Sequence, residues 1–320
     1  MWGGEDKAGH AIVGLLAWLL VATVGVVTIT QALGWSPSRG VAVAQALTPH
    51  LGLILVPAAL YSLWRSARIM TMTCIAIGLG LLILATPLAF PADRPQADPD
   101  ATGLRVASIN LYVRNDRVDE IARRLHDLEP DVIVFVEYTR RHRKALQTTE
   151  LAADYPHRTD RNARGDGVAV WSRTPIAVGD DPDTTNDSLD VVVDGPDGPV
   201  RLLALHVPTP ISTLDGWKDD LDTAARSART ATGAVMIVGD LNASYWHPPF
   251  RDLLDAGLTD AHTAVGAGFS SSWPTNRLIP AFVRLDHALL TDELVAVDVQ
   301  DFDAPGSDHR GFVVTVVPAR

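Results

Sequence analysis

AVMIVGDLN, residues 234–242, decides how this chain reads. Five apolar residues in succession leave no polar face, which suits a strand covered on both sides, and the run then stops at Gly239, Asp240 and Asn242. The same grammar recurs in LRVASIN (104–110), DVIVFVE (131–137), GVAVWS (167–172), LDVVVD (189–194), VRLLALH (200–206), RLDHALL (284–290), LVAVDVQ (294–300) and GFVVTVV (311–317). Helical spacing is rarer: Val118, Ile121, Leu125 and Leu128 recur at three and four before Pro130, with weaker candidates over 214–231 and 249–256. Strands outnumber helices, so the C-terminal part is α/β or α+β with two packed sheets.

Before Leu104 the pattern is different. Residues 11–33, 41–64 and 69–90 are apolar and uncharged, each long enough to cross ~30 Å of hydrocarbon as a helix, so three transmembrane helices are expected within a membrane region 1–90. Pro49 and Pro57 should kink the second, and His50 receives no function. Pro-rich residues 91–103 read as a linker to a catalytic domain over 104–320. Lys7, Arg65 and Arg68 fall on one side of three spans and Arg39 and Arg94 on the other, which favours a cytoplasmic N-terminus and an extracytoplasmic domain in the cell membrane.

Charge and cysteine narrow the function. The chain carries 27 Lys+Arg against 38 Asp+Glu, a net −11, and because basic and acidic residues balance over 1–100 the whole excess belongs to the later part. Polynucleotide binding draws its affinity from basic side chains, so nucleic acid is a poor partner for this domain. The single Cys74 excludes an intrachain disulfide and a Cys-based zinc site.

The chemistry sits where the strands stop. Asn110, Glu137, His206, Asp240 with Asn242, Asp286, and Asp308 with His309 each follow an apolar run, where a side chain can project from a rigid sheet into a shared cleft. One such residue is a turn or cap; six such sites in order are not explained that way. The sequence has no GxGxxG, Walker A loop or GxSxG elbow.

The order Asn110, VEY with Glu137, GDGVAVWSR, LHVP with His206, GDLN, RLDH and GSDHRG resembles the endonuclease/exonuclease/phosphatase superfamily, over nearly all of 104–317. That resemblance implies an α+β, four-layer αββα sandwich and a metal-dependent phosphoric ester or anhydride hydrolase. It further implies that Glu137, with Asn110 and Asp308, holds Mg²⁺, Mn²⁺ being the alternative. His309 would be the general base oriented by Asp286, Asp240 and Asn242 would position water or phosphoryl oxygens, and His206 would bond the phosphoryl group or assist the leaving oxygen. Tyr112 stands where abasic-site endonucleases carry an Asp, so one metal rather than two is expected. His287, next to Asp286, should point to the opposite face and be structural.

Several residues bear on substrate. RRHRK (140–144) reads as a solvated helix face or an anion site, and Arg158, Arg161 and Arg164 as residues that reach a phosphate at the mouth. Trp273, Arg284 and the apolar stretch from Trp273 to Val283 are candidate substrate contacts, the stretch suiting either a lipid interface or a buried loop. Three spans, a linker and a WP segment before RxDH and SDHR also resemble actinobacterial membrane proteins of teicoplanin and vancomycin resistance. This implies a polyprenyl pyrophosphate or lipid-linked cell-wall precursor as substrate, with the bilayer as partner. A membrane-tethered endonuclease and a non-catalytic binding module are the alternatives.

Overall fold

The computed structural model describes residues 5–90, 95–163 and 165–320, and side chains from residue 9 onward. The described residues form two compact units, one helical and one built on two sheets.

The helical unit contains α1 (Glu5–Ala32), α2 (Arg39–Ala46), α3 (Thr48–Trp64) and α4 (Arg68–Ala89). Among the described residues, α1, over Gly9–Ala32, and α4 are the single helices long and apolar enough to cross a membrane. Two of the three expected spans are thus single helices of spanning length; the stretch over 41–64 is two helices bent by 76°, which makes a third only if the bent pair counts as one span. The break has a local cause. Pro49 opens α3, where a missing N–H costs nothing, and Thr48 Oγ1 donates to Gln45 O (2.6 Å) at the break. Gln45 in turn donates to Thr30 Oγ1 (3.1 Å) and Trp35 O (2.9 Å), so the polar groups at the bend are satisfied internally, as a low-dielectric surrounding demands. Pro57, expected to kink this stretch, lies inside α3.

The second unit runs β1 (Leu104–Asn110), α5 (Val118–Leu128), β2 (Val132–Tyr138), α6 (Arg140–Leu146), α7 (Leu151–Asp154), β3 (His157–Arg161), β4 (Gly167–Ser172), β5 (Ile176–Val178), β6 (Leu189–Gly195), β7 (Gly198–His206), α8 (Leu214–Arg229), β8 (Val235–Asp240), α9 (Pro248–Asp255), β9 (Thr259–Asp260), α10 (Ala261–Ala264), β10 (Asp286–Leu290), β11 (Leu294–Phe302) and β12 (Gly311–Pro318). One six-stranded sheet has the order β11-β12-β1-β2-β4-β3 and the other β5-β6-β7-β8-β10-β9. Alternate residues of both sheets, among them Val106, Val134, Val170, Leu202, Val238 and Val314, meet in one core. The intervening residues Ala107, Ile109, Ile133 and Phe135 pack under Val118, Ile121 and Leu125 of α5. Strands apolar on both faces are therefore covered on both faces, and the two-sheet α+β sandwich is the architecture.

All nine apolar runs quoted above are strands; β3, β5 and β9 are additional. Part of the expected linker is pinned. Asp98 N donates to Pro318 O (3.0 Å) and Arg320 N to Gln96 O (2.9 Å), while residues 91–94 lie outside the described residues.

Gly239 shows how tightly the strand ends are drawn together. Its φ is +136°, and a Cβ there would collide with Leu205 O on the adjacent parallel β7. Gly239→Ala should therefore destabilise the domain by more than the ~1–3 kcal/mol of backbone strain alone, with a lower Tm in a circular-dichroism melt. An unchanged Tm would mean the β7–β8 contact is looser than this geometry.

Candidate active site

Register places the first three residues. His206 at the end of β7 pairs with Asp240 of β8, and Asp240 pairs with Asp286 of β10, so one row across three neighbouring strands carries all three. Asn110 ends β1 of the facing sheet. Glu137 lies in β2 where the register to β4 shifts between Phe135 and Tyr138, and its φ of +54° marks a left-handed bulge that re-aims the side chain. His309 arrives from the β11–β12 loop, fixed by Ser307, whose Oγ donates to Asn110 O (2.6 Å) and accepts His309 N–H (3.0 Å).

The side chains form two hydrogen-bonded groups that face each other, Glu137–Asn110–Asp240 and Asp286–His309. Asn110 Nδ2 donates to Glu137 Oε1 (3.1 Å) and Asp240 Oδ2 (2.9 Å). The amide orientation is forced, because both carboxylates only accept and Tyr112 N–H takes the amide oxygen (2.9 Å). Val113 N–H donates to Glu137 Oε2 (2.7 Å) and Asn242 N–H to Asp240 Oδ1 (2.8 Å). His309 Nδ1 is held by Asp286 Oδ2 (2.7 Å), and its Nε2 faces Asp240 Oδ2 across 3.8 Å. His206 is buried with Nδ1 lacking a hydrogen-bond partner, and Asp286 Oδ1 lacks one too.

Burial with these neighbours separates the proton affinities. Burial, and then repulsion from Asp286, push Asp240 up to about 6. Burial works against a charged His309, but the attraction of Asp286 and then Asp240 outweighs it and lifts the imidazole to about 10. Burial alone would raise Asp286, yet His309 and the Ser272 hydroxyl hold it below the ordinary range. The resting pair is thus imidazolium and carboxylate.

Two places in this cleft suit a divalent ion. Ligand atoms of Asp240, Asp286 and His309 all lie within 4.8 Å of one another. A protonated imidazole already closed on Asp286 is a poor ligand, however, since ligating His must be neutral. The Glu137 carboxylate, oriented by Asn110 and Val113, is an anionic oxygen donor of the kind a hard cation takes.

The other expected residues fall as follows. Asn242, at φ +45°, donates its side-chain amide to Val207 O (2.8 Å) and accepts Trp217 Nε1–H on its carbonyl (3.0 Å), so it steadies Asp240 through the backbone. The Asp308 carboxylate takes a long hydrogen bond from Trp273 Nε1 (3.4 Å), and Trp273 packs edge-on to Phe282 (6.2 Å between centroids). Arg284 is buried, pairing with Asp301 (2.8 Å) and donating to Ser270 Oγ (2.5 Å), which spends its guanidinium inside the fold. Arg164 lies outside the described residues. His287 turns from the cleft to Asp260 (2.6 Å) and Ala243 O (3.0 Å).

RRHRK is not a uniformly solvated face. Arg140, Arg141 and Lys144 are not buried, but Arg143 pairs with Asp160, and His142 is fully buried. Its Nδ1 lies 3.1 Å from Glu137 O and 3.4 Å from Thr139 N and its Nε2 lies 3.2 Å from Asn115 O, while burial holds its pKa below the ordinary value. His142 thereby ties the loop after β1 to the turn that follows Glu137. Neither it nor Ser307 stands out in the sequence; a His inside a basic run looks solvated, and a lone Ser carries no spacing signal.

Residues 107–309 match the Endonuclease/Exonuclease/phosphatase family, which covers every residue of this constellation. The chain belongs to that family. As a family member it is a metal-dependent phosphoric ester hydrolase. Solved structures agree in fold. Zebrafish (D. rerio) TDP2 complexed with single-strand DNA product is 16% identical with a TM-score of 0.55, the match covering 67% of this chain and 99% of that one. An AP endonuclease from Archaeoglobus fulgidus is 17% identical at 0.53, covering 66% and 98%. The 3' phosphatase NExo from Neisseria, bound to a product DNA hairpin, is 18% identical at 0.50, covering 66% and 98%. No curated protein matches the chain in sequence.

Proposed function

We propose that this family member is a membrane-held phosphohydrolase acting on a lipid-linked phosphate or pyrophosphate, of the polyprenyl pyrophosphate kind. The observation that carries the reading is a complete hydrolytic constellation in a chain that also has two helices of spanning length, with the net −11 in the later part. Such a charge opposes a polyanion such as DNA but not a single phosphate head. The resemblance of its motifs to actinobacterial glycopeptide-resistance membrane proteins supports the same substrate class.

The residues divide the chemistry as their proton affinities suggest. Bound at Glu137, Mg²⁺ or Mn²⁺ supplies positive charge to the phosphoryl oxygens. Asn110 holds Glu137 and Asp240 in fixed relation. Asp240, near 6, is the base that takes the proton of the attacking water at neutral pH. The family resemblance implies His309 as the base; because Asp286 and Asp240 keep it protonated, we give it the complementary task of donating from Nε2 to the phosphoryl group, with Asp286 orienting it. His206, buried with an unbonded Nδ1, is assigned a second contact to that group.

The test is a panel. Purified protein in detergent with Mg²⁺ should release inorganic phosphate from a polyprenyl pyrophosphate and leave plasmid DNA intact. A membrane-tethered nuclease is the second reading, favoured by the DNA products held in the TDP2 and NExo structures, and it predicts the reverse.

If α2 and α3 together cross, three spans put the two termini on opposite sides, and Lys7, Arg65 and Arg68 against Arg39 and Arg94 favour a cytoplasmic N-terminus with the domain outside, the arrangement we propose. Protease added to intact protoplasts should then remove the domain; protection until lysis would reverse it.

A further inference from the structure

The stretch from Trp273 to Val283 is a clamp with an exposed tip. Trp273 and Val283 form a bridge with hydrogen bonds of 2.9 and 3.0 Å. Thr275 N donates to Asp308 O (2.9 Å), Thr275 Oγ1 to Ser307 O (3.0 Å) and Arg310 N to Ser272 O (2.8 Å), so the base is fixed to the loop that bears His309. Residues 276–280 are all exposed. Leu278 is 108% and Ile279 57% exposed, the only adjacent pair of large apolar side chains so exposed among the described residues of this domain. The other such side chains, Val178, Ile211, Phe269 and Val297, are scattered singly.

Charge surrounds this tip. The loop walls a cavity of about 650 Å³ whose charged lining is Arg117, Arg277, Arg310 and one carboxylate, Asp303. Arg117 pairs with Glu120 and Arg310 with Asp303, while no hydrogen bond or ion pair engages Arg277 among the described residues. Guanidinium groups beside two bare aliphatic side chains, on a domain that is otherwise acidic, form a local feature that selects a surface both anionic and apolar just beneath. Such a surface is within reach. In sequence, the apolar α4 ends at Ala89, and by Gln96, whose carbonyl accepts from Arg320 N–H, the chain is already hydrogen-bonded to the domain.

We infer that the 276–280 tip is an interfacial anchor that inserts Leu278 and Ile279 into an anionic bilayer while Arg277, at the arginine-lined groove, takes a lipid phosphate. Trp273 and Phe282, packed on each other at the base, set the loop's angle and do not enter the lipid. The anchor needs the chain to be membrane-held, and it would bring the mouth of the site to the head-group layer, which deepens the lipid-phosphate reading.

The chain's single cysteine makes the test direct. Full-length protein carrying Cys74→Ala and Leu278→Cys, labelled with bimane, is reconstituted in phosphatidylcholine–phosphatidylglycerol vesicles containing a doxyl-labelled lipid. Bimane at 278 should be quenched and blue-shifted, bimane at Val178→Cys should not, and Arg277→Glu should reduce the quenching at 278. Equal quenching at 278 and 178, or none at either, overturns the anchor. Leu278→Ser with Ile279→Ser should lower hydrolysis of a vesicle-held polyprenyl pyrophosphate several-fold and leave a soluble phosphoester substrate unaffected. Quenching at 278 without lipid hydrolysis keeps the anchor and removes the lipid substrate, whereas lipid hydrolysis without quenching does the opposite.

Discussion

Asp240→Asn should lower kcat by about 10²-fold or more, the scale of general-base contributions, and should remove the acid limb of the pH–rate profile. The sign follows from its surroundings. Burial and the neighbouring Asp286 raise the Asp240 carboxyl to about 6, so it gains its proton, and loses its function as a base, as pH falls through that region. His309 is lifted to about 10 and donates until pH rises through that value. Activity is therefore expected on a plateau between the two, and bound divalent cation, which favours the deprotonated form of each, moves both limbs to lower pH. The acid limb should belong to Asp240 alone: Asn keeps the side chain's shape but cannot take a proton from water. If Asp240→Asn retained the limb and His309→Gln abolished it, His309 would be the base after all.

Much of this site was legible because β-strands end abruptly. Each polar residue that follows an apolar run on a strand stands at a rigid edge, and the pairing of His206 with Asp240 and of Asp240 with Asp286 turns three separate strand ends into one row. The two-sheet fold was legible for the same reason, since runs apolar on both faces require cover on both. What escaped the sequence depends on tertiary contact. Arg284 in RLDH looks like a substrate contact, but the fold turns it to Asp301 and Ser270. His142 sits among four cations, and only the closeness of Thr139, Glu137 and Asn115 shows that it is buried and held by the backbone. The strands β3, β5 and β9 are short or half-exposed, so no apolar run announces them. The second apolar stretch was long enough for a span by composition. That it is broken follows from Pro49 opening a new helix and from polar groups collected by Gln45, a contact pattern no hydropathy sum contains.

Glu137→Gln should cost at least as much as Asp240→Asn, about 10²-fold or more in kcat, and should also abolish divalent-ion binding measured by calorimetry without substrate. The carboxylate has both oxygens in use as acceptors, one for Asn110 Nδ2 and one for Val113 N–H. An amide offers one acceptor and one donor, so in the variant an N–H must face an N–H, and whichever way the new side chain turns, either the bridge through Asn110 to Asp240 or the backbone tie is broken. The charge that would hold a hard cation goes with it. Calorimetry separates the two places where an ion could sit. An ion on the Glu137 oxygens is lost in Glu137→Gln and retained in Asp286→Asn, because Asp286 is closed on protonated His309. An ion among Asp240, Asp286 and His309 shows the reverse: Asp286→Asn abolishes binding and Glu137→Gln leaves it intact. The second pattern would move the cation onto the dyad and require His309 to be neutral in the working enzyme, and the assignment of Asp240 as base and His309 as donor would fall with it.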